Sequence, residues 1–342
     1  MTCFSNTDMS NTLENQVWVV EVAAGDFVQV DSPLPELRPG EVLVEIAASG
    51  VSILDTKIRA GKAGHAKQPF PAVLGLEMAG TVVALGPSVK AFRPGDEVYG
   101  MVGGVGGLPG TLARFIAADA RLLAVKPRSL TMREAAALPL NFITAWEGLV
   151  DRAQVSAGKT VLIHGGAGGV GHLAVQLAIA YGAEVYATVS KNKFPIVQSY
   201  GATAIDYAAM SVEEYVAAHT QAEGFDIVYD TLGGATLDAS FKAVKAYTGH
   251  AVSSLGWGEH SLAPLSFRAA TYSGVFTLLP LITGKGRAHH GEILRSASEL
   301  ADAGKLKPLV HERRFTTDDL AAAYEAAGAG GVGKVVVEIK SA

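Results

Sequence analysis

The chain has 342 residues, 49% of them apolar and 18% charged, with a formal net charge of −5; that length exceeds one usual core, so two domains are expected, and the acidic balance leaves no basic footprint for nucleic acid. The only cysteine is Cys3, in a polar stretch that reads as a frayed tail, so no disulfide can form within one chain. No apolar run reaches the ~18 residues of a membrane span, and the N-terminus lacks the basic and apolar regions of a signal peptide, so a cytoplasmic protein without a membrane partner is expected.

From about Val17 to Arg121 the sequence reads as β-rich. VWVVEV, VLVEIAAS, MAGTVVALG and DEVYGMVG are short, Val-rich runs, and LRPGE, LGPS and FRPGD between them are turn signals. An open antiparallel barrel or distorted sheet follows from that pattern. Gly100–Gly110, GMVGGVGGLPG, leads into no helical pattern and reads as a flexible loop. At Thr131 the pattern turns helical, with Thr131 and Glu134 at capping-box spacing.

Strands and helices then alternate. The strand candidates are Thr160–Ile163, Glu184–Val189, Ala204–Asp206, Asp226–Tyr229 and His250–Ser254, with GVFTLL (Gly274–Leu279) as a sixth. LAVQLAIAYG and VEEYVAAHT are helical patterns between them, so the expected architecture is α/β with a doubly wound parallel sheet. EILRSASELADAGKL and DLAAAYEAAGAG are helical, and KVVVEI is a last strand. His289-His290-Gly-Glu292 reads as an exposed loop before a helix, with Glu292 complementing the helix dipole, rather than as a metal site.

The most informative stretch is Gly158–Gly182, GKTVLIHGGAGGVGHLAVQLAIAYG. An apolar strand runs into Gly166-x-Gly168-x-x-Gly171 and then into a small-apolar helix, the context that the dinucleotide fingerprint requires. One glycine permits the tight turn, one lets the backbone approach a pyrophosphate, and one lets helix and strand pack closely. The pyrophosphate sits over the free N–H groups of Gly168, Gly169, Val170 and Gly171 at the helix start. His164, just before the loop, is expected to be packed or hydrogen-bonded.

The acid that holds an adenosine ribose usually stands about 20 residues beyond the glycines. Here the second strand ends in Ser190-Lys191-Asn192-Lys193, and no Asp or Glu occurs between Glu184 and Asp206. Hydroxyl and ammonium groups there suit a 2′-phosphate, so NADP(H) is the expected cofactor. Ser253, Ser254 and Gly256 end the fifth strand, at the edge where ligands sit in open α/β sheets.

IHGGAGGVGHLAVQLA, AALPLNFITAWEGL, the VYDTLGG run and the closing GKVVVEI together resemble the medium-chain dehydrogenases/reductases, and within them the zinc-free quinone oxidoreductases, the zeta-crystallin-like branch. The resemblance covers nearly everything from Val17 on. It implies a GroES-like β-rich catalytic domain built from both chain ends, 1–131 and 280–342, with a Rossmann domain, 132–279, inserted. Zinc members carry a Cys where this chain has Ser52 and a His where it has Leu76, and a hydroxyl and a leucine cannot complete a zinc site. No metal is therefore expected, and Asp55 and Glu77 read as structural.

The resemblance further implies that Lys193 and Tyr207 hold a 2′-phosphate, that Thr144 touches the nicotinamide with Asn141 a turn earlier, and that Lys334 joins the cofactor set with Ser190 and Ser254. Ser52 and Lys57 stand where quinone reductases often carry Asn and Tyr, and with Thr144 they are the candidate donors to an enolate or quinol oxygen. A homodimer is implied, through pairing of the sixth strands. The expected function is metal-free hydride transfer from NADPH to quinones or activated enones, since a conjugated acceptor spreads the developing charge. The alternatives are a zinc-free NADP alcohol dehydrogenase and a low-turnover NADPH-binding structural or sensor protein.

Overall fold

The computed structural model describes residues 14–339, so Cys3 and the stretch expected to fray lie outside the described residues. The chain divides into two compact units. One runs up to Leu140 and resumes over Leu278–Asp302 and from Pro308 on; the other is Asn141–Thr277 with Ala303–Lys307.

The first unit opens with β1 (Asn15–Val20), β2 (Phe27–Ser32), β3 (Glu41–Val51), β4 (Ala72–Val73), β5 (Glu77–Leu85), β6 (Glu97–Met101), β7 (Phe115–Asp119) and β8 (Leu123–Val125). β1, β3, β5 and β6 match the four Val-rich runs. The long strand β3 pairs antiparallel with both β5 and β7, and its register against β5 shifts twice. Gly80 lies in that irregular stretch, where a Cβ would overlap the Glu45 carbonyl oxygen; such shifts bend a strand and increase its twist. The loop Gly100–Gly110 is hydrogen-bonded and packed against its neighbours. Gly104 donates to the carbonyls of Leu108 and Pro109, and Gly110 to that of Val73. Gly103, Gly104 and Val105 are buried. The glycines are there because backbone packs on backbone: a Cβ on Gly103 or Gly110 would overlap neighbouring carbonyls.

In the second unit β9 (Thr160–His164), β10 (Glu184–Val189), β11 (Thr203–Asp206), β12 (Ile227–Asp230), β13 (His250–Ser253) and β14 (Thr271–Gly274) form one parallel sheet in the order β11-β10-β9-β12-β13-β14. This is the doubly wound order that reverses at its first strand. β9, β10 and β12 are apolar along nearly their whole length because helices cover both faces of a parallel sheet. Leu162, Tyr186, Ile205, Phe225, Val228 and Phe241 form part of its core. The helix Gly171–Ala180 is mostly apolar and buried over its first eight residues. Its Gln176 clamps the outlying segment: the amide donates to the Lys307 carbonyl at 3.0 Å and accepts from the Lys307 N–H at 2.8 Å.

The sixth strand is TYSG, not GVFTLL. Its register is set by Thr271 N–H to the Gly249 carbonyl, and Val275 N–H to the Ser253 carbonyl closes the pairing. The apolar residues Val275 and Leu278 are buried in the turn that follows instead.

The chain returns with the helix Arg287–Asp302, β15 (Phe315–Thr316), the helix Leu320–Ala329 and β16 (Val335–Glu338), which pairs with β3. His289, His290 and Glu292 lie inside that first helix, not in a loop before it. His290, Ile293, Leu294, Ala297 and Ala301 are its buried stripe, a helical spacing. Gly291 lets the helix lie against the chain at Arg121, 2.5 Å from whose carbonyl oxygen a Cβ would sit. The capped helix Met132–Ala135 packs on β3, β5 and β16, so it belongs to the first unit rather than opening the second.

Candidate active site

The glycine loop follows β9 at the carboxyl edge of the parallel sheet. A Cβ on Gly171 would overlap the Gly165 carbonyl oxygen, and one on Gly166 would lie 2.6 Å from Ala187 Cβ. These two positions carry the close packing of loop, helix and β10. The helix Gly171–Ala180 has no side-chain cap and no acidic residue in its first turn. Gly166, Gly168 and His172 N–H are already bonded, to the carbonyls of Thr188, Gly165 and Gly168; a helix start without a side-chain cap still suits an anion, so the residues present fit a dinucleotide pyrophosphate. His172 donates from Nδ1 to the Gly168 carbonyl at 2.8 Å and stiffens the turn. Burial pushes its pKa down to about 4, as it does that of His164, whose Nδ1 meets Thr188 Oγ1 at 2.9 Å. Both imidazoles are neutral and structural near pH 7.

β10 and β11 run parallel, with Val189 beside Asp206 in register. Ser190, Lys193 and Tyr207 therefore follow two neighbouring strands at the same edge. Lys191–Lys193 forms a short 3-10 turn, and the Ser190 hydroxyl donates to Asn192 Oδ1 at 2.6 Å. Tyr207 is 62% exposed. Asp206, at the end of β11, accepts the Ala208 N–H on Oδ1 at 3.0 Å. At the next strand ends Asp230, fully buried, accepts from the N–H groups of Leu232 and Gly233 and from the Ser253 hydroxyl at 2.6 Å. Ser254 N–H donates to the Asp230 carbonyl.

Asn141 and Thr144 stand on the helix Pro139–Trp146, and both are buried. The Asn141 amide nitrogen is 3.1 Å from where a Gly169 Cβ would be, so the structure brings this residue onto the glycine loop. Thr144 Oγ1 meets Thr277 Oγ1 at 3.1 Å, and Thr277 in turn donates to Glu147 Oε2 at 2.7 Å. A hydroxyl has one proton. With the Thr277 proton on the carboxylate, the Thr277 oxygen is left to accept from Thr144, so the two hydroxyls and Glu147 form one chain. Tyr229 donates to the Thr144 carbonyl at 2.7 Å and packs on Gly148 in the wider π turn Glu147–Arg152.

In the first unit Ser52 caps the helix Ile53–Arg59. Its Oγ accepts the Asp55 N–H at 3.2 Å, and its hydroxyl donates to Asp55 Oδ2 at 2.5 Å. The Ser52 backbone N–H donates to the same oxygen at 2.8 Å. Asp55 is buried; desolvation raises its pKa to about 6, against the pull of Lys334 and of the Ser52 bonds. Lys57, a turn on, is exposed.

Glu77 is fully buried at the start of β5. Its Oε2 accepts the Leu140 N–H at 2.8 Å, and its Oε1 is ion-paired with Lys334 Nζ, itself buried. Gly50 makes room: a Cβ there would lie 2.8 Å from Glu77 Cγ. Lys334 thus has a carboxylate partner within its own unit. Leu76 is completely buried, and no group of three His, Cys, Asp or Glu able to hold a metal occurs among the described residues. Sequence reasoning did not find Thr277 and Glu147, because nothing local joins them to Thr144. Asp230 was signalled only as part of VYDTLGG, an acid before glycines that suits a side-chain-capped turn.

Removing one partner of a buried pair strands the other charge, which typically costs about 3–5 kcal/mol. Glu77→Gln and Lys334→Met, singly, should each lower the urea-unfolding free energy of the protein by that order. The double variant should recover a large part of the loss. Additive losses in the double-mutant cycle would show that the two side chains do not depend on each other.

Residues 38–128 match the model of the alcohol dehydrogenase GroES-like domain, and residues 169–286 that of the zinc-binding dehydrogenase family. The chain is 34% identical to the 2-methylene-furan-3-one reductase of Solanum lycopersicum over 97% of this chain and 81% of that protein. It is 35% identical to the chloroplastic NADPH-dependent alkenal/one oxidoreductase of Arabidopsis thaliana, over 89% of this chain and 73% of that one. The crystal structure of an alcohol dehydrogenase superfamily protein from Novosphingobium aromaticivorans superposes with a TM-score of 0.93 at 56% identity, covering 95% of this chain and all of that one. The chain belongs to the medium-chain dehydrogenase/reductase superfamily, that of the alcohol dehydrogenases, and is an oxidoreductase.

Proposed function

We propose that this protein reduces conjugated carbonyl compounds, enones or enals and also quinones, with NADPH and without a metal. The observation that carries the reading is the pair of features at the edge of the parallel sheet: an uncapped helix start behind the glycine loop, and an end of β10 that offers Ser190, Lys191 and Lys193. Bound NADPH supplies a hydride. Gly166, Gly168, Gly169, Val170 and Gly171 take its pyrophosphate. Ser190, Lys193 and Tyr207 take the 2′-phosphate. Asn141 orders the loop, Thr144 contacts the nicotinamide, and Ser254 serves the nicotinamide end of the strand edge. Lys334, committed to Glu77, acts through its charge.

Ser52 and Lys57 are the groups for the acceptor oxygen. A simple ketone needs strong polarisation, for which zinc serves elsewhere. Here Ser52 and Leu76 stand at the ligand positions, so an acceptor that delocalises its own charge fits better. The names of the tomato and Arabidopsis relatives point to the same class, conjugated ketones and alkenals.

NADPH consumption with 2-alkenals, enones and benzoquinones, measured against an enzyme-free blank, tests the reading. Saturable turnover with at least one class is expected. Steady oxidation of saturated alcohols with NADP instead would favour the dehydrogenase alternative, and tight NADPH binding with no turnover of any acceptor would favour a sensor.

NADPH should bind at least about tenfold tighter than NADH, which corresponds to ~1.4 kcal/mol. In fluorescence titrations, Lys193→Ala should weaken NADPH and leave NADH nearly unchanged. Equal affinities for the two cofactors in the native protein would contradict the assignment.

We also propose a homodimer. The parallel sheet ends at β14, whose residues are largely exposed, and an uncovered edge is a template for a second copy. Light scattering at micromolar concentrations should give twice the 35.4 kDa chain mass; a monomer across that range would refute it.

A further inference from the structure

Ser52 cannot simply donate to a substrate, because its proton is already spent on Asp55. The two side chains form one of four capping boxes in the described helices. The boxes of Thr131 with Glu134 and Ser211 with Glu214 are exposed, with hydroxyl-to-carboxylate distances of 2.8 Å. That of Thr316 with Asp319 is part-buried and looser, at 3.2 Å. Only in the Ser52 box does the carboxylate lie buried, 1% exposed, with the shorter distance of 2.5 Å. A cap needs neither burial nor a short bond.

The charges around Asp55 do not match. Two buried carboxylates, Asp55 and Glu77, share one buried ammonium, Lys334. Glu77 takes the ion pair and the Leu140 N–H. Asp55 is left with the two Ser52 donors on Oδ2 and with a buried Oδ1 that has no hydrogen-bond partner. From the helix Leu320–Ala329, Tyr324 brings a buried, unpartnered hydroxyl that stays protonated beside it, and Arg59 lies on Asp55's own helix. One excess buried negative charge is relieved when Asp55 carries a proton, in line with its raised pKa of about 6.

We propose that Ser52 and Asp55 are a proton relay, in which the Ser52 hydroxyl protonates the enolate left by hydride addition and Asp55 restores the hydroxyl. The relay rests on the conjugate-reduction reading above. The nicotinamide hydride adds to the β-carbon of the acceptor, and the π electrons move onto the carbonyl oxygen as an enolate. The Ser52 O–H bond breaks as an O–H bond forms on the enolate oxygen, giving an enol that becomes the saturated carbonyl. At the same time the Asp55 Oδ2–H bond breaks and the Ser52 O–H bond is remade. Asp55 is left as a carboxylate facing Lys334, and takes its next proton from solvent through Ser52 after product leaves. Ser52 is the catalytic group; Asp55 acts through it and is a positioning and proton-holding residue.

The test measures kcat and KM from pH 5 to 9 with NADPH and a 2-alkenal, in the native protein and in Ser52→Ala, Ser52→Thr and Asp55→Asn, with 1,4-benzoquinone as a second acceptor. Since the protonated acid is the working form, native kcat should fall as pH rises through the Asp55 titration. Ser52→Ala and Asp55→Asn should lose that limb and about 100-fold in alkenal kcat, in the range of general acid catalysis. Their NADPH affinity should hold, and quinone reduction should suffer less, because a quinol anion takes its proton from water. Ser52→Thr should restore both rate and limb. Ser52→Ala leaves the buried carboxyl in place, so a poorly folding Asp55→Asn does not remove the test. Native-like kcat and pH profile in Ser52→Ala, with an active native protein, would overturn the relay alone. A native protein inactive on both acceptors would overturn the parent reading and the relay together.

Discussion

The first unit depends on one buried ion pair. Glu77, at the start of β5, holds the Leu140 N–H at the end of the first chain segment and the Lys334 ammonium next to the last strand. One carboxylate thus fastens three distant parts of the sequence into one unit. A buried pair of this kind contributes little net stability against an apolar replacement, but losing either member leaves an uncompensated charge. The pair therefore specifies how the returning chain closes onto β3 more than it adds to the strength of that closure. It also sets the charge that Asp55 experiences, so an architectural contact reaches into the chemistry.

Both candidate hydroxyls are hydrogen-bonded toward a carboxylate, Thr144 through Thr277 to Glu147 and Ser52 directly to Asp55. The two cases differ in what lies behind them. Behind Thr144 stand a second hydroxyl and the carboxylate of Glu147. An under-compensated, buried carboxyl makes Ser52 a hydroxyl that can change role with protonation. Residue type alone does not separate these roles; the partner's burial and charge do.

How much of this was legible in the sequence follows from how local each signal is. The strand, glycine loop and helix around Gly166–Gly171 are contiguous, so their geometry is written in adjacent residues, and the capping spacing at Thr131 and Glu134 is likewise local. GVFTLL misled because an apolar run reads as a strand, whereas the edge strand TYSG needs only backbone pairing with β13 and little apolar content. His289-His290-Gly-Glu292 lies within the helix, not before it, and the missing Cβ of Gly291 allows close packing on Arg121, a contact that no local pattern shows. The Thr144–Thr277 contact and the Glu77–Lys334 pair join residues far apart in sequence, and nothing short of the fold brings them together.

The central claim is conjugate hydride addition from NADPH, and isotope placement tests it most directly. An enone incubated with NADPH deuterated at the transferred position in ordinary water should give a saturated carbonyl with one deuterium on the former β-carbon and solvent hydrogen on the α-carbon. Deuterium on the carbonyl carbon of an allylic alcohol would contradict the account, because the protein would then be polarising an isolated C=O bond, for which Ser52 and Leu76 offer no metal.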